Sequence, residues 1–449
     1  MPRNSNDTST KRQRIAELAK QNPQMAFTSL NHLLDLDLLR EAFYRTPKKK
    51  APGVDGQTWA DYEANLEDNL QSLLERAKSG TYRAPPVRRV HIPKGSGSET
   101  RPIGIPTLED KVLQRAVVML LEPLYEPLFH ERSYGFRPGR SAHQALEQLR
   151  AETMATTGGW LLDVDVRKFF DTLDHGCLRE LLRHRVRDGV LLRLIDKWLH
   201  AGVLEDGNLS HPDKGTPQGG VISPLLANVY LHYVLDEWIE REVRPRLRGR
   251  VSLIRYADDF VLGFTCEADA RRVLELLPQR FSAHGLTIHP DKTRLVRFRP
   301  RPRGRGSRYA DLPNTFDFLG FTHYWALSRK RGWVVKQKTA SSRFTWALMK
   351  IATWCRRYRH LKLTEQHDTL SRKVQGHYNY YGITGNSQSL SSFQTCVIRV
   401  WKKWLGRRNR ENKWNWARHR RMLERYSLPR PVAVRSALRH AATMTRGTG

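Results

Sequence analysis

Residues 251–264 read VSLIRYADDFVLGF, an apolar run that is interrupted at its centre by two adjacent aspartates. The Val, Ile, Leu and aromatic residues on both sides favour β-strands. Because neighbouring residues of a strand point to opposite faces, Asp258 and Asp259 can lie side by side only where the chain turns. The stretch therefore predicts a β-hairpin that carries both carboxylates at its tip.

A second acidic strand is predicted at residues 160–166, which read WLLDVDV. The two-residue period of a strand puts Asp163 and Asp165 on one face, and it puts Leu162, Val164 and Val166 on the other. A carboxylate in an apolar strand is costly unless it is paired or binds a metal, and clustered acids raise one another's pKa. A divalent cation removes both costs, and oxygen ligands favour Mg²⁺. Aspartates that cap turns are the alternative, but the second acidic strand favours the metal site.

The net charge predicts the class of partner. The chain of 449 residues carries 77 Lys and Arg against 45 Asp and Glu, a net charge of +32. A surplus of this size binds a polyanion by releasing its counterions, and arginine adds forked contacts to phosphate. Nucleic acid is therefore the predicted partner, well ahead of an anionic membrane, because the sequence contains no lipidation motif.

Composition and cysteine spacing exclude several other classes. A chain with 39% hydrophobic residues is too apolar for wholesale disorder. No apolar run approaches the ~18 residues of a transmembrane helix, and the basic N-terminus lacks the apolar core of a secretory signal. The four cysteines form no Cys-x-x-Cys pair, which argues against disulfides and zinc sites. We therefore expect a cytoplasmic protein without a membrane partner.

Apolar periodicity divides the rest of the chain into helices and strands. Helices are predicted over residues 12–45, 58–78, 110–129, 178–199 and 267–284, and helices rich in Arg, Trp and Tyr beyond Lys330. Strands are predicted over residues 87–93 and 100–105, which form a hairpin, and over 286–298 and 317–325. The change in character near Lys330 predicts a domain boundary there.

The acidic hairpin resembles a known motif. Tyr256-Ala257-Asp258-Asp259 is similar to the YxDD box of reverse transcriptases. Around it, in order, stand blocks that resemble those of group II intron reverse transcriptases, the intron-encoded maturases. They are KAPGVDG (50–56), RPIGIP (101–106), SYGFRP (133–138), DVRKFFD (165–171), GTPQGG (215–220), HPDKT (289–293), FLGF (318–321) and, in the maturase domain, HYNYYG (377–382).

The resemblance implies an α+β fold, a right-hand polymerase with fingers and an antiparallel palm, followed by an α-helical thumb or maturase domain. The domains expected from it are an N-terminal helical extension with the start of the fingers (1–85), fingers and palm (86–329), a helical thumb and maturase domain (330–420) and a short basic tail (421–449). An HNH-type endonuclease is expected to be missing, because no paired cysteines are present.

The resemblance also implies the activity. An RNA-directed DNA polymerase would add dNTPs to a primer 3′-OH on an RNA template, and it would bind intron RNA and target DNA in splicing and retrohoming. One alternative is a non-enzymatic RNA-binding splicing cofactor, and another is a domesticated reverse transcriptase in repair or phage defence. No oligomeric state is implied.

By resemblance, the three catalytic carboxylates are those of Asp165, Asp258 and Asp259. They would hold two Mg²⁺ ions, with Mn²⁺ as an alternative ion and the Val166 carbonyl as an additional ligand. Two ions about 4 Å apart suit in-line phosphoryl transfer. Asp163, on the same face as Asp165, would support or pack against the site.

Five residues are expected to bind the incoming nucleotide. Phe170 resembles the steric gate that excludes a ribose 2′-OH, although a core position is equally compatible. Lys94 and Arg101 flank the hairpin tip and would reach the triphosphate. Gln218 would line the pocket, and Lys292 would neutralise or protonate the leaving pyrophosphate. Solvated lysines and an ordinary turn are the alternatives for Lys94, Lys292 and Gln218.

Five arginines are expected to bind nucleic acid. Those of the SYGFRP region would contact template phosphate, and those near the C-terminus would contact the nucleic-acid backbone, while Trp401 and Trp404 form the core of the thumb. A solvated surface is the alternative. The five are Arg137, Arg140, Arg407, Arg408 and Arg410.

Overall fold

The computed structural model describes residues 5–93, 99–211, 213–300, 314–328, 330–408 and 414–435. Lys94 and Arg410, two of the residues expected to contact substrate, lie outside these ranges. The chain divides into two compact units. The first is Met1–Ile92 with Thr100–Arg297, and the second is Pro93–Glu99 with Phe298–Gly449.

Helices form most of the first unit. In chain order they are α1 Ser5–Gln21, α2 Leu36–Tyr44, α3 Trp59–Glu63, α4 Leu66–Ser79, α5 Leu108–Tyr125, α6 Ala142–Ala155, α7 Phe169–Thr172, α8 His175–Arg183, α9 Gly189–Leu199, α10 Ser223–Leu231 and α11 Glu267–Ser282. Helix α5 is buried along most of its length, and its buried residues include the polar Asp110, Lys111 and Gln114. The chain continues from α10 through two π-helical turns, His232–Asp236 and Ile239–Val243.

The strands of the first unit form two sheets. In chain order they are β1 Val87–Pro93, β2 Thr100–Ile105, β3 Gly159–Val164, β4 Val203–Glu205, β5 Asn208–Ser210, β6 Val251–Tyr256, β7 Asp259–Phe264 and β8 Arg294–Phe298. The sheets have the orders β2-β1-β4-β5 and β6-β7-β3-β8. Strand β7 pairs antiparallel with both β6 and β3. The strands β1 and β2 of the predicted hairpin are neighbours in the first sheet, and the predicted tip lies outside the described residues.

Four predicted elements of this unit are interrupted. The helix expected over 58–78 is α3 and α4, with a turn at residues 64–65 between them. The helix expected over 12–45 is α1 and α2 with a loop between them. The helix expected over 178–199 is α8 and α9, because Asp188 caps the start of α9 by accepting from the Val190 and Leu191 N–H groups. The strand expected over 286–298 is reduced to β8, because a turn at residues 290–292 interrupts it.

Asp188 and Arg185 also join the N-terminal segment to the rest of the unit. The fully buried Asp188 carboxylate accepts hydrogen bonds from the Leu30 and Asn31 N–H groups at 2.7 and 2.8 Å. The Arg185 guanidinium, 1% exposed, donates to the carbonyl groups of Met25 and Ala19. The loop between α1 and α2 is therefore held by residues that stand far along the chain.

In the residues that the structure describes, the second unit combines a small sheet with four helices. Its elements are β9 Thr315–Phe318, β10 Phe321–Leu327, β11 Trp333–Thr339, α12 Ser341–Arg357, α13 Leu363–Tyr381, α14 Ser387–Leu405 and α15 Trp416–Arg425. The sheet has the antiparallel order β11-β10-β9. Phe321 of β10 packs on Tyr380 and Tyr381 of α13, which places this sheet in one unit with the helices.

Two predictions for the second unit are wrong in detail. The strand expected over 317–325 reverses at Leu319 and Gly320, whose φ angles of 49° and 81° are left-handed, so that Phe318 pairs with Phe321. The region beyond Lys330 begins with β11 and becomes helical only at α12.

The predicted core position of Trp401 is confirmed, since it is fully buried and its indole N–H donates to Gln366 at 2.8 Å. Trp404 is partly buried and packs against the same core.

The cysteines Cys177, Cys266, Cys355 and Cys396 are free thiols. Over the parts of the chain that the structure describes, none of the helices has both the length and the apolar character that crossing a bilayer requires.

A buried carboxyl group lies between α5, α9 and the segment after α4. Asp110 is 1% exposed and accepts hydrogen bonds from the Tyr82 hydroxyl and from the Trp198 indole N–H. Burial raises the pKa of Asp110 to about 7, and the nearby charge of Asp55 adds to the shift, while the Trp198 hydrogen bond opposes it. The folded protein therefore favours the neutral carboxylic acid at this position.

We predict that this group makes stability depend on pH. Because the folded-state pKa lies above the ordinary value of 3.8, the contribution of Asp110 is fully present below that value and is lost as pH rises through about 7. Relative to Asp110→Asn, the wild type should lose on the order of 2 kcal/mol of unfolding free energy between pH 5 and pH 8. Urea titrations at both pH values measure this difference. The same substitution at the exposed Asp206 is the control, and a pH-independent difference for Asp110→Asn would contradict the prediction.

Candidate active site

The β6–β7 hairpin carries two aspartates at its tip, as predicted. The strands pair from Val251 with Phe264 to Tyr256 with Asp259, which leaves Ala257 and Asp258 as the turn. Ala257 has a φ of 57°, in the left-handed region that permits such a tight reversal. Asp258 is half-buried, whereas Asp259 begins β7 and is exposed.

Asp165 follows directly after β3, next to the start of β7. The last register pair of these strands is Val164 with Phe260. The Asp165 carbonyl accepts from the His289 N–H at 2.8 Å, and Val166 forms a bridge with Ile288, so the segment after α11 fixes the backbone here.

The carboxylates of Asp165 and Asp163 have different cationic partners. Asp165 Oδ2 lies 3.3 Å from Lys292 Nζ, and Asp163 Oδ2 lies 3.1 Å from Arg294 Nη2. The side chain of Asp165 is 37% exposed and that of Asp163 is 18% exposed. Asp165 is therefore the carboxylate that is more open to substrate.

Electrostatic interactions connect Asp258 with Asp165 and Arg101. Burial raises the pKa of Asp258, and the negative charge of Asp165 raises it further, while the positive charge of Arg101 on β2 lowers it. The strand register places Asp165 and Asp258 at the same end of β7, since Val164 pairs with Phe260 and Tyr256 pairs with Asp259. The structure thus brings two of the predicted catalytic carboxylates together, and the charge of Arg101 acts on one of them.

The carboxylates at this site suit a divalent cation that takes its remaining ligands from a bound substrate and water. Across the described ranges, no group of three or more His, Cys, Asp and Glu side chains is arranged to hold a metal by itself. Mg²⁺ in phosphoryl-transfer sites is usually held by one or two carboxylates together with substrate phosphates and water. Asp165 and the half-buried Asp258, whose charges repel, fit that requirement.

A buried arginine holds the backbone of the turn. Arg255 is fully buried and its guanidinium forks onto Asp236, with Nε–Oδ1 at 2.9 Å and Nη2–Oδ2 at 2.6 Å. Its Nη1 donates to Asn228 Oδ1 at 3.0 Å and to the Ala257 carbonyl at 3.1 Å. Asn228 lies on α10 and Asp236 on the π-helical turn that follows. The guanidinium therefore links this helix to the residue that precedes Asp258.

The SYGFRP segment lies along the free edge of β6. The Arg255 N–H donates to the Arg132 carbonyl, and the Tyr134 N–H donates to the Arg255 carbonyl. A Cβ at Gly135 would lie 2.2 Å from the Ala257 nitrogen, so only glycine fits here. The Gly135 carbonyl accepts from Asn228 Nδ2 at 2.8 Å. The same asparagine thus binds both the SYGFRP segment and the Arg255 side chain.

The GTPQGG block meets two other blocks through backbone hydrogen bonds. The Gly104 N–H of β2 donates to the Gln218 carbonyl at 2.7 Å, and the Thr216 N–H donates to the Phe170 carbonyl at 2.7 Å. Gly219 has a φ of 126°, and a Cβ there would lie 2.4 Å from the Gly104 oxygen. Gln218, Phe170 and the strand of Arg101 therefore belong to one connected arrangement.

Phe170 lies between the core and the surface. It is partly buried and packs edge-on against the buried Phe169, with ring centroids 5.4 Å apart. Lys168, with a left-handed φ of 47°, starts the short helix that carries both rings. Phe169 occupies the core, whereas part of Phe170 stays accessible.

Comparison with known proteins places the chain in a family. Residues 92–323, just over half of the chain, match the family model described as "Reverse transcriptase (RNA-dependent DNA polymerase)". The chain belongs to the reverse transcriptase family. RNA-directed DNA synthesis is the activity that defines this family.

Two named relatives illustrate the similarity of this reverse transcriptase to other proteins. It is 36% identical to "Protein YkfC" of Escherichia coli (strain K12), over 56% of this chain and 74% of that protein. It is 38% identical to "Group II intron-encoded protein LtrA" of Lactococcus lactis subsp. cremoris, over 51% of this chain and 38% of that protein.

A more distant similarity is to the "Uncharacterized 91 kDa protein in cob intron" of Schizosaccharomyces pombe. This relative is 30% identical over 51% of the reverse transcriptase and 34% of its own length. The chain therefore matches less than half of the length of each of the two intron-associated relatives.

The structure assigns Arg137 of the reverse transcriptase a different place from the template contact that was expected. Its side chain is 3% exposed and forks onto Glu126, with Nη2–Oε1 at 2.7 Å and Nε–Oε2 at 3.0 Å. It also donates to the His130 and Ser133 carbonyl groups. With its donors used in the interior, Arg137 anchors the loop. Arg140 is half-buried, donates to the Glu131 carbonyl and lies over the Tyr134 ring.

Arg407 and Arg408 of the second unit also differ in how many of their donors are used within the fold. Arg407 is exposed and lies 5.1 Å from the Trp404 ring centroid. Arg408 donates to the Leu361 carbonyl at 2.7 Å and to the Arg359 carbonyl, so part of its guanidinium is used within the unit. Arg407 keeps more of its donors available for a polyanion.

Arg255→Lys should impair the reverse transcriptase by releasing the turn. Lysine keeps the charge but lacks the fork that reaches Asp236, Asn228 and Ala257 together. We expect a kcat lower by about ten- to a hundred-fold, since small displacements of catalytic groups have effects of that size. Primer-extension kinetics measure it, with circular dichroism to confirm folding.

Arg271→Lys is the matched control for this test. Arg271 also donates two hydrogen bonds to one carboxylate, that of Glu267, but it lies on the surface of α11. A folded Arg255→Lys enzyme with the kcat of Arg271→Lys would show that the buried fork does not position the turn.

Proposed function

We propose that the chain extends a primer 3′-OH along an RNA template with dNTPs by two-metal phosphoryl transfer. The observation that carries this proposal is the strand register, which places Asp165, directly after β3, at the same end of β7 as the turn that holds Asp258, with the charge of Arg101 acting on Asp258. Acidic groups bind the ions of such a reaction, and a nearby cation binds the triphosphate.

Three carboxylates and one carbonyl group would hold the metal. The proposed ligands are Asp165, Asp258, Asp259 and the backbone oxygen of Val166, with Mg²⁺ as the ion and Mn²⁺ as its substitute. When bound, the ions would supply Lewis acidity at the transferred phosphoryl group. The chain's own contribution is the rigid placement of the carboxylates through Arg255 and the His289 N–H.

The surrounding side chains would select and orient the nucleotide. Arg101 supplies a fork for phosphate oxygens, and Lys292, held 3.3 Å from Asp165, supplies a positive charge for the leaving pyrophosphate. Phe170 presents the accessible part of its ring as the gate against a ribose 2′-OH. Gln218, fixed through its backbone at β2, lines the pocket.

We further propose the roles of the parts of the fold. The sheet β2-β1-β4-β5 with its helices would form the fingers, the sheet β6-β7-β3-β8 the palm, and helices α12–α15 the thumb and maturase domain. The net charge of +32 supports binding of an RNA template, intron RNA and DNA primer or target. Assistance of splicing and retrohoming, in the cytoplasm, belongs to this proposal.

Asp258→Ala should abolish RNA-templated DNA synthesis, because it removes a carboxylate that the proposed ions need. We expect a loss of at least about a thousand-fold in kcat, within the range that removal of a metal or charge-stabilising group produces. Primer extension on an RNA template with dNTPs measures it.

Asp206→Asn, at an exposed turn whose left-handed φ of 49° also suits asparagine, is the control for a lost surface carboxylate. Undiminished synthesis by Asp258→Ala would refute the polymerase mechanism. A splicing assay with the same variant tests the cofactor function separately, since RNA binding without catalysis would survive the substitution.

Phe170→Ala should relax sugar selection. Removing the ring opens the space that the 2′-OH would occupy, so the ratio of kcat/KM for dNTPs over rNTPs should fall by about ten-fold or more. Single-nucleotide incorporation with each substrate class gives this ratio. Phe170→Tyr keeps the ring and should keep the selectivity. An unchanged ratio in Phe170→Ala would leave Phe170 as a packing residue.

A further inference from the structure

Phe136 combines two unusual properties. It is 55% exposed, although a phenylalanine is normally buried, and its backbone has a φ of 56°, in the left-handed region that costs energy for a bulky residue. Such strain persists only where the surroundings enforce it, and it is concentrated at functional sites.

The residues on both sides of Phe136 enforce this conformation. On one side, Gly135 packs against the Ala257 backbone and its carbonyl accepts from Asn228. On the other side, the buried Arg137 forks onto Glu126. Phe136 therefore stands between two fixed anchors and cannot fold back into the core without breaking one of them.

The ring of Phe136 lies beside the proposed catalytic turn. Its centroid is 6.5 Å from that of Tyr256, with an angle of 42° between the planes, which is within the range of interacting aromatic pairs. Tyr256 directly precedes the turn that holds Asp258. The two rings therefore present apolar surface next to the carboxylates, where the end of a primer would have to lie.

We propose that Phe136, supported by Tyr256, is a nucleic-acid contact that packs against the terminal base pair of the primer–template duplex. This inference rests on the polymerase function proposed above. Nucleobases and sugars offer apolar faces in any sequence, so an aromatic ring can bind the duplex end without selecting bases. The ring acts by binding and positions the primer end for the carboxylates.

Phe136→Gly separates binding from folding. Glycine adopts a positive φ without strain, so the substitution removes an exposed ring without disturbing the backbone. We expect an unchanged or higher melting temperature, with the KM for primer–template raised about ten-fold, as for loss of one base–aromatic contact. The KM for dNTP should stay within about two-fold of wild type on the same grounds.

Two further variants bracket this result. Phe136→Tyr keeps the ring and should restore the KM for primer–template. Leu276→Ala removes another exposed apolar side chain, on α11, and should leave both KM values unchanged. A stable Phe136→Gly protein with the wild-type KM for primer–template would overturn the proposal.

Photocrosslinking tests the contact directly. A primer with 5-iodouridine as its last nucleotide, annealed to an RNA template, is irradiated with the full chain, and the attached peptide is identified by mass spectrometry. We expect the primer to attach to Phe136 or Tyr256. In Phe136→Gly, attachment at position 136 should be lost. Attachment confined to other residues would overturn the proposal. Crosslinking requires binding of the primer–template but no catalysis, so it tests the contact separately from the activity. Absence of DNA synthesis by the wild type would count against the proposed function instead.

Discussion

The candidate site depends on a single buried charge. The Arg255 guanidinium lies within an apolar sheet, where an unpaired cation would be very costly. Asp236 neutralises it, and Asn228 and the Ala257 carbonyl use further donors. Since these partners come from the helix that starts at α10, neutralising the charge also fixes the distance between that helix and the turn. The position of Asp258 therefore depends on the hydrogen bonds that the buried Arg255 guanidinium makes.

Close backbone approaches connect the remaining parts of the first unit. Gly135 against Ala257 and Gly219 against Gly104 leave no room for a side chain. In each pair, segments far apart in sequence meet at a distance that only glycine permits. The sequence blocks that resemble one family therefore also contact one another through their backbones. At these contacts, the fold requires a residue without a Cβ.

The sequence was most informative where periodicity and charge conflict. Two aspartates in an apolar run predicted the hairpin tip, and the structure confirms it. Arg255 interrupts the same run and was a usable signal, although its partner on the following π-helical turn could not be inferred from local pattern. Arg137 looked like a phosphate contact because arginine in a basic chain is usually exposed, and only tertiary structure reveals its pairing with Glu126.

Boundaries were predicted less well than elements. The break before α9 depends on Asp188, whose Oδ1 caps the helix while its Oδ2 accepts from the N-terminal segment, a long-range contact that local pattern does not reveal. The reversal at Leu319 and Gly320 depends on left-handed backbone at two consecutive residues, of which only the glycine was a signal. The place of β11 after Lys330 depends on pairing with β10, a contact that helical periodicity cannot anticipate.

The hydrogen bond between Leu30 and Asp188 spans 158 positions of the chain. During synthesis, the loop between α1 and α2 remains without this acceptor until Asp188 has left the ribosome. This segment therefore acquires one of its final contacts only after a further 158 residues have been synthesised. Until then, the loop lacks part of its final support, because contacts of long sequence separation form after local ones.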